Sequence, residues 1–426
     1  MKTLFTMMLL LAPQTVHAAL VLEPDYSCCA TEEPQAIDAD ALNNRGGELY
    51  AAGDYSNARK MIEESIRIQQ SKARPNLDSL SNTLFNLAAV ARAESRMAEA
   101  EGLYQRAITT RESISGPEAK DLAHPLAGLA LVYMAEGRLT EAVDLARRAV
   151  RVSESAVAQN TLGTLLLMKG EDCKVEALEQ AVVDDLERNG KTEGQDYIDA
   201  LANLGAAQLR QAKYRQADLS LHRAEQAAVS AFGPNHATTA TIWNNRAKVL
   251  MAQGDVKGAE TLYRQAIAVW RKTLGPAHPD VAQGLSNLAA LYESGKRYSE
   301  AERLYNQALG IDQAWLGAQS LKVANDWNNL GALSARRHRY QEAEDRLSKA
   351  LAIAGKQAGG DHPDTNRIAV NLAVVYYYEG KYANASVEFA KSVSAKQRTL
   401  PSDSPELLTL LKMYANSIDA TRVTAR

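Results

Sequence analysis

The chain contains 426 residues, with 48 lysines and arginines against 51 aspartates and glutamates, and its formal charge is −3. The two signs are interspersed along the sequence. This balance argues against nucleic acid as a partner, because binding a phosphate backbone requires a basic surface.

Residues 1–18 have the pattern of a secretory signal peptide. One lysine precedes an apolar core at residues 4–12, and residues 16–18 form a small-residue exit. We therefore expect cleavage after Ala18, export to the periplasm first and to the extracellular medium second, and an extended linker at residues 19–37. The apolar core is shorter than the ~20 residues that span a bilayer, and no other stretch approaches that length, so the mature chain is not expected to be embedded in a membrane.

Three cysteines occur, which is an odd number for an exported chain. Cys28 and Cys29 are adjacent in the linker, and Cys173 lies far from them along the sequence. One of the pair could form a disulfide with Cys173, or a cysteine could form a disulfide between two molecules. The sequence does not distinguish between these alternatives. Lipidation at Cys28 is not expected, because residues 25–27 do not form a lipoprotein cleavage site.

The remainder of the chain is organised by a period of 42 residues. One phase of this period, here called the reference phase, recurs in steps of 42 residues except for one step of 33. Its nine positions are Asn44, Asn86, Gly128, Thr161, Asn203, Asn245, Asn287, Asn329 and Asn371. A fixed period in this range indicates stacked helical hairpins, in which each unit buries its apolar face only against its neighbours.

Each period predicts two amphipathic helices separated by a turn. In residues 279–294, apolar side chains recur at three- and four-residue steps, and Pro279 suits a first helical turn. Gly295 begins the turn, and residues 301–309 restart the same stripe. We call the first helix of each hairpin helix A and the second helix B.

Small residues mark the places where two helices must approach closely. In helix A one phase holds Ala88, Gly205, Ala247, Ala289, Gly331 and Ala373. In helix B one phase holds Ala58, Ala100, Ala142, Ala217, Ala259, Ala301, Ala343 and Ala385. Tyr104, Tyr263 and Tyr305 share a further phase and are expected to fill the spaces that the alanines leave.

One motif unites these features. In the seventh period it reads Asn287-Leu288-Ala289-Ala290-Leu291-Tyr292, Gly295, Tyr298, Glu300-Ala301-Glu302, Leu304-Tyr305 and Ala308-Leu309. It resembles the tetratricopeptide repeat, in the 42-residue version found in kinesin light chains and many bacterial proteins. The resemblance implies an all-α fold, with a right-handed α-solenoid of about nine helical hairpins at residues 38–400 and a C-terminal capping helix and tail at residues 401–426.

Two repeats depart from this pattern. The third advances only 33 residues, from Gly128 to Thr161, so its helix B should lack the extension of the others. In the fourth, Gly170 and Ala177 are seven residues apart where the corresponding pairs are five apart, which predicts two extra residues in its turn. A change of repeat length changes the local pitch, so we expect a seam or bend near residues 152–176, without a separate domain.

The sequence predicts no catalytic residue, no cofactor and no metal ligand. His236, His278 and His362 share a phase, but they stand a repeat apart, whereas zinc ligands must converge at ~2.0–2.1 Å from one ion. Side chains that open helix A or pack the loop account for them better. No glycine-rich phosphate loop or activated nucleophile is recognisable.

The densest basic cluster is Arg336-Arg337-His338-Arg339, at the end of a helix A and in the following turn. Basic residues at a helix C-terminus favour a solvated helix end as its role. A dock for an acidic partner is the alternative.

Asparagine carries the remaining functional signal. The predicted peptide-binding residues are Asn203, Asn244, Asn245, Asn287, Asn325, Asn328, Asn329 and Asn371. A carboxamide both donates and accepts, so it can bind the backbone of an extended peptide whatever its side chains. The resemblance implies that the reference phase faces a concave groove, and the alternative is that these amides bond to the neighbouring helix and align the stack. Domains that capture a C-terminal carboxylate carry a lysine directly before this phase, and this chain has none there.

These observations predict an exported scaffold that binds extended segments of partner proteins without catalysis, either alone or as part of an envelope complex. One alternative is a secreted factor that acts on host or neighbouring cells. The other is an enzyme or an enzyme-accessory subunit.

Overall fold

The computed structural model describes residues 38–94, 96–360, 362–397 and 402–424. Throughout these segments the regular structure is helical, with 19 α-helices, one 3-10 helix at Lys120–Leu122 and no strand. None of the described helices combines the length and the apolar character that crossing a membrane requires. The predicted signal peptide and linker, with Cys28 and Cys29, lie outside the described residues.

The first part of the chain forms one compact unit, which ends at Gly254. We call its described residues, 38–254, the N-terminal unit. Its helices are α1 (Ala39–Ala51), α2 (Tyr55–Ser71), α3 (Leu77–Ala93), α4 (Met97–Ser115), α5 (Ala123–Ala135), α6 (Leu139–Val152), α7 (Ala156–Lys169), α8 (Asp172–Arg188), α9 (Gln195–Arg210), α10 (Tyr214–Phe232) and α11 (Ala237–Gln253).

A second compact unit begins at Asp255. We call its described residues from 255 onward the C-terminal unit. Its helices are α12 (Val256–Thr273), α13 (Pro279–Ser294), α14 (Tyr298–Leu316), α15 (Leu321–Arg336), α16 (Tyr340–Ala358), α17 (Pro363–Tyr378), α18 (Tyr382–Gln397) and α19 (Pro405–Thr424).

Within each unit, consecutive helices pack in pairs, and each helix B also packs against the helix A that follows. The turns inside the hairpins are short, because one turn residue adopts a left-handed conformation that ends helix A at once. Gly137 and Gly380 hold this position with φ values of 79° and 77°. Glycine adopts this conformation without the steric cost of a Cβ atom. The result is the predicted all-α solenoid of helical hairpins.

The predicted small-residue phases lie at the helix contacts. All eight alanines of the helix B phase, from Ala58 to Ala385, are fully buried. In helix A, a Cβ added to Gly331 would lie 2.6 Å from Cγ of Leu347, which is sixteen residues later on the paired helix. The three tyrosines of the large phase are buried as well, at 0 to 1% exposure. The sequence phases therefore identified the packed interior correctly.

The third repeat departs from the others as predicted. Its helix B, α6, has 14 residues, whereas α4, α10, α14 and α16 have 19 each.

The prediction of two extra residues in the fourth turn is wrong. Only Gly170 and Glu171 separate α7 from α8, and Val175, fully buried, occupies the position that alanine holds in the other repeats. Ala177 is exposed and is not the equivalent residue. The sequence analysis did not align Val175 with the helix B alanines, because valine is bulkier than every other residue at that phase. The boundary between the two compact units lies in sequence at residue 254. The seam or bend near residues 152–176 stays a prediction.

The last helix packs against the one before it. Leu407 and Leu410 of α19 are buried, at 2% and 5% exposure, and Leu410 belongs to the same apolar cluster as Phe389 of α18. On the opposite side, Leu408 is 51% exposed. Helix α19 thus covers the apolar face of α18, which would otherwise meet water.

Candidate functional site

The eight predicted peptide-binding asparagines fall into environments that differ sharply in exposure. Asn203, Asn244, Asn245 and Asn328 are buried, at 0%, 4%, 6% and 2% exposure. Asn287, Asn325, Asn329 and Asn371 are half-buried. All eight lie on A helices, but only a side chain with accessible atoms can contact a ligand directly.

Asn203 is part of a buried polar network between α7, α8 and α9. Its Nδ2 donates to the backbone oxygen of Asn160 at 3.1 Å and to Oε1 of Glu179 at 2.9 Å. Its Oδ1 accepts from the hydroxyl of Thr164 at 3.3 Å. With every polar atom engaged and no exposed surface, Asn203 aligns the stack, which is the role that the sequence left as the alternative.

Glu179 is the unusual member of this network. Its position, sixteen residues after the small residue Gly163, holds leucine at the corresponding site of two other repeats, as Leu221 and Leu347. A Cβ on Gly163 would overlap the Glu179 carboxyl group, so the glycine makes room for it. Burial raises the pKa of Glu179 well above its usual value, against the stabilising hydrogen bond from Asn203.

A second kind of asparagine bond joins successive A helices at a separation of 43 residues. Nδ2 of Asn371 donates to Oδ1 of Asn328 at 2.8 Å, so the structure brings these two predicted residues together. The same bond occurs in the N-terminal unit, where Asn86 donates to Asn43 at 3.0 Å. The acceptor in each case stands directly before the reference phase of the preceding repeat.

Asn329 differs from the others because its carboxamide forms no hydrogen bond with any of the described residues and is half-buried. Asn287, at the same phase of α13, is half-buried too, and its Oδ1 accepts from Gln283 of its own helix at 3.1 Å. Together with Asn371 of α17, these residues place one partly exposed carboxamide on each of three successive A helices of the C-terminal unit.

Charged and polar side chains in the first turns of α15 and α17 lie beside Asn329 and Asn371. Oδ1 of Asn325 accepts from Nη2 of Arg367 at 2.6 Å, and the same Nη2 donates to Oδ1 of Asp364 at 2.8 Å. Asn325 also donates to Asp364, at 3.4 Å. This bonded group joins α15 to α17 and fixes the orientation of Arg367 beside the reference phase.

Asn244 and Asn245 lie on α11, at the end of the N-terminal unit. Oδ1 of Asn245 accepts from Lys248 at 3.3 Å, whereas its Nδ2 is buried without a hydrogen-bond partner. Both side chains are too enclosed for direct contact with a peptide on this unit.

The three loop histidines open A helices, which is one of the two roles that the sequence left open. Nδ1 of His236, His278 and His362 accepts the backbone N–H two residues later, at 3.2 Å in each case. Capping of this kind satisfies an amide that the helix leaves without a partner. Burial lowers the pKa of His278 to about 4, so its ring is neutral at physiological pH and can accept this bond. No group of histidine, cysteine and carboxylate side chains suited to a metal ion occurs among the described residues.

The basic cluster at residues 336–339 is balanced by glutamates of its own unit. Nε of Arg336 lies 2.7 Å from Glu293, Arg337 pairs with Glu302, and Arg339 lies 3.6 Å from Glu342. These carboxylates neutralise most of the positive charge of the cluster. This favours its role as a solvated helix end over that of a dock for an acidic partner.

The C-terminal unit buries a group of charges that the sequence did not single out. Asp312 of α14 and Asp326 of α15 are 0% and 1% exposed, and Nζ of Lys322 lies 3.4 Å and 3.5 Å from their carboxyl oxygens. Burial raises the pKa of Asp326 to about 7; Lys322 opposes this rise and Asp312 adds to it. Burial and the Asp312 charge likewise raise the pKa of the nearby Asp280 to about 6.

Sequence reasoning missed the residues that hold the asparagines in place. Asn43 stands directly before the reference phase, as Asn328 does, and this doubled polar position could have identified it. Asn160 binds Asn203 through its backbone oxygen, so its residue type gives no such signal. Glu179 could have been found as a charged residue at an apolar phase. The distinction between a buried and a half-buried amide has no such signal, because it depends on the neighbouring repeat.

Comparison with known families gives one match. The sequence profile described as tetratricopeptide repeat matches residues 79–155, 238–314 and 323–416, which together make up more than half of the chain. None of the curated proteins compared with the chain matches it.

The chain is also similar to solved structures at low sequence identity. A Rap protein in complex with Competence and Sporulation Factor superposes with a TM-score of 0.61 at 12% identity, over 84% of this chain and 98% of that one. BtubC (BKLC) from P. vanneervenii gives a TM-score of 0.42 at 18% identity, over 63% of this chain and 93% of that one. A kinesin light chain candidate from Podosopora anserina, with nearly identical TPR-like repeats, gives 0.40 at 22% identity, over 47% and 94%.

Proposed function

Because the chain belongs to the tetratricopeptide-repeat family, we propose that it is a non-catalytic scaffold that binds an extended segment of a partner protein along the A helices of its C-terminal unit. One observation carries the proposal. Asn287, Asn329 and Asn371 present partly exposed carboxamides at one phase of α13, α15 and α17, and that of Asn329 has no partner among the described residues.

A ladder of amides suits an extended peptide. Each successive A helix supplies one asparagine carboxamide, and an extended peptide offers a backbone N–H and C=O at each residue. Each carboxamide can therefore make the same contact whatever the side chains of the peptide. The Rap protein, which shares this fold, was solved with Competence and Sporulation Factor bound. That complex supports a binding role for the fold and leaves the partner of this chain to be found.

The experiment begins with capture of the partner in cells. A photo-crosslinking amino acid at position 329 should trap the partner, whereas the same amino acid at Asn306, exposed on α14, should not. Affinity for the captured segment is then measured for Asn287→Ala with Asn329→Ala. Each lost hydrogen bond contributes ~0.5–1.5 kcal/mol, so the double variant should bind roughly 10-fold more weakly.

Asn306→Ala is the matched control, because its amide bonds only to Glu302 of its own helix. It should leave the affinity unchanged. Equal binding by the double variant and the wild type would refute the role of these amides. Equal crosslinking from positions 306 and 329 would refute the binding face.

We also propose that the chain is exported and acts in the cell envelope, alone or in a complex. The sequence of residues 1–18 supports this. N-terminal sequencing of the protein from a periplasmic fraction should start at Ala19. Recovery of the intact N-terminus from the cytoplasmic fraction would contradict export.

A further inference from the structure

One half-buried charge on the proposed binding face lacks a counter-ion. Each of α13, α15 and α17 carries a half-buried charged residue in its first turn, seven residues before the reference phase, and these are Asp280, Lys322 and Asp364. Nζ of Lys322 lies 3.4 Å and 3.5 Å from two buried aspartates, and Asp364 lies 2.8 Å from Arg367. Asp280 has no lysine or arginine at ion-pair distance among the described residues.

The ring of His278 lies beside Asp280 but does not act as its counter-ion. Nδ1 of His278 is 3.6 Å from Oδ2 of Asp280, and the same Nδ1 accepts the backbone N–H of Asp280 at 3.2 Å. A ring nitrogen that accepts a hydrogen bond carries no proton, so Nδ1 and Oδ2 are both acceptors. Burial also lowers the pKa of His278 to about 4, which leaves the ring neutral at pH 7. The contact therefore supplies no positive charge.

The carboxyl group of Asp280 is partly out of water and has a negative neighbour. Its side chain is 18% exposed and forms no hydrogen bond with the described residues. Burial and the charge of Asp312 raise the pKa of Asp280 to about 6, so the group is ionised at neutral pH. A carboxylate in such surroundings is normally paired with a cation. The exposed part of the Asp280 side chain leaves room for that cation to come from a ligand.

Asp280 lies on the same face of α13 as the proposed peptide-binding amide. Nε2 of Gln283, three residues after Asp280, donates to Oδ1 of Asn287 at 3.1 Å, and all three side chains are half-buried. Residues three and seven apart share one face of a helix. The seven residues from Asp280 to Asn287 correspond to ~10 Å along the helix axis. A peptide backbone held at Asn287 is too distant to bond Asp280 through its own N–H groups, whereas a lysine or arginine side chain on that peptide can extend towards it.

The corresponding aspartate of α17 shows what α13 lacks. Both helices begin with His-Pro-Asp, and the helix dipole favours a carboxylate in the first turn of each. Three residues after the aspartate, α17 has Arg367, which pairs with Asp364, whereas α13 has the uncharged Gln283. A role at the helix N-terminus is thus common to both aspartates. Only Asp364 receives its cation from the chain itself.

We propose that Asp280 pairs with a lysine or arginine side chain of the segment that binds this face, and so selects partner segments that are basic at that point. The pairing rests on the proposed peptide-binding function and adds the chemistry of one partner side chain. The asparagines contact the backbone of the segment, and Asp280 determines which residue is accepted beside them.

The test uses the full chain and a library of short random peptides, acetylated and amidated so that their ends carry no charge. Peptides that the wild type retains at pH 7.5, and that Asn287→Ala with Asn329→Ala does not, are sequenced. Lysine or arginine should be enriched at one position. A retained peptide is then made in two forms, with lysine or with glutamine at that position, and the wild type should bind the lysine form roughly 10-fold more tightly.

Three variants compare the same two peptides. Asp280→Asn should bind the lysine and glutamine forms equally, and its affinity for the glutamine form should match that of the wild type. Gln283→Arg gives α13 the arginine that α17 has, so it should also remove the preference for lysine. Asp345→Asn, on the exposed face of α16, is the matched control and should retain the preference.

The proposal is overturned if the retained peptides show no enrichment of lysine or arginine, or if Asp280→Asn still prefers the lysine form. The proposed function stands in both cases, because retention still depends on the asparagines. If the wild type retains no peptide that the asparagine double variant loses, the peptide-binding function fails and the pairing fails with it. If Asp280→Asn binds both forms weakly because its fold is damaged, an undiminished preference in Gln283→Arg overturns the pairing and a lost preference supports it.

Discussion

Asparagines of the reference phase differ in exposure between the two units, with Asn44 the half-buried exception in the N-terminal unit. In the N-terminal unit, Asn86 and Asn203 are fully buried and bonded to residues of the preceding repeat. In the C-terminal unit, Asn287, Asn329 and Asn371 keep part of their surface exposed. Asn86 and Asn203 are thus enclosed, whereas the three asparagines of the C-terminal unit keep accessible surface, although Asn371 also bonds to Asn328 of the preceding repeat.

The neighbours of each asparagine produce this difference. Asn203 meets Thr164, the Asn160 carbonyl and the Glu179 carboxyl, which satisfy all its polar atoms. Asn329 meets no group of this kind among the described residues. A residue type that recurs at one phase of a repeat protein therefore identifies only candidate ligand-binding residues. The burial of each side chain decides which of them can contact a ligand.

The largest effect is expected for Asn203→Ala. The change removes three hydrogen bonds and leaves the buried Glu179 carboxyl without its donor. Each buried group without a partner costs ~1–3 kcal/mol, so the free energy of unfolding should fall by about 3 kcal/mol. The measurement is a urea unfolding curve. A loss below about 1 kcal/mol would show that Asn203 does not hold the stack.

The buried carboxyls of the C-terminal unit should make stability depend on pH. The pKa of Asp326 is raised from 3.8 to about 7 in the folded chain. A raised folded pKa contributes stability that is complete below the unfolded value and is lost as pH rises towards the folded value. Unfolding free energy should therefore fall by up to ~1.4 kcal/mol per pH unit between about pH 4 and pH 7.

Asp326→Asn tests this dependence, because it keeps the shape of the side chain and removes the proton. Urea unfolding from pH 4.5 to 7.5 should show a shallower slope for this variant than for the wild type. Asp345→Asn, on the exposed face of α16, is the control and should leave the slope unchanged. Parallel slopes for wild type and Asp326→Asn would contradict the prediction.

An intermediate effect is expected for Asn328→Ala, which removes the acceptor of the bond from Asn371. Asn371 is half-buried, so water can replace part of that bond, and the loss of stability should be about 1 kcal/mol. Thermal unfolding would measure it. A loss as large as that of Asn203→Ala would remove the contrast between the two units.

The smallest effect is expected for Asn329→Ala. Its amide has no partner to lose among the described residues, so stability should change by less than about 0.5 kcal/mol. The urea midpoint is the measurement. A larger loss would mean that this side chain supports the fold and would weaken the proposed binding face.

Much of the fold could be predicted from the sequence because repeated packing leaves a repeated pattern. The alanine phase of helix B was identified from spacing and is confirmed. Spacing also placed His236, His278 and His362 between repeats, and of the two roles left open, opening helix A or packing the loop, the structure shows the first. The error in the fourth turn arose where Val175 replaces alanine and the pattern is broken. The spacing of residues predicts the structure of a repeat reliably only where the same residue type recurs at that position in every repeat.

The candidate site was less predictable for a physical reason. Whether an asparagine is buried depends on a residue about 43 positions earlier, on another helix. The sequence gives the phase of Asn203 and Asn329 but not the surroundings of their amides.

The bonds between residues 43 positions apart also bear on how such a chain can change by recombination. Loss of one 42-residue repeat keeps the helical register but gives each remaining asparagine a new neighbour. If residues 287–328 were lost, Ser286 would take the place of Asn328 opposite Asn371, and a hydroxyl is shorter than a carboxamide. Repeats of equal length are therefore not interchangeable here, and viable deletions should be those that join repeats with matching residues on both sides.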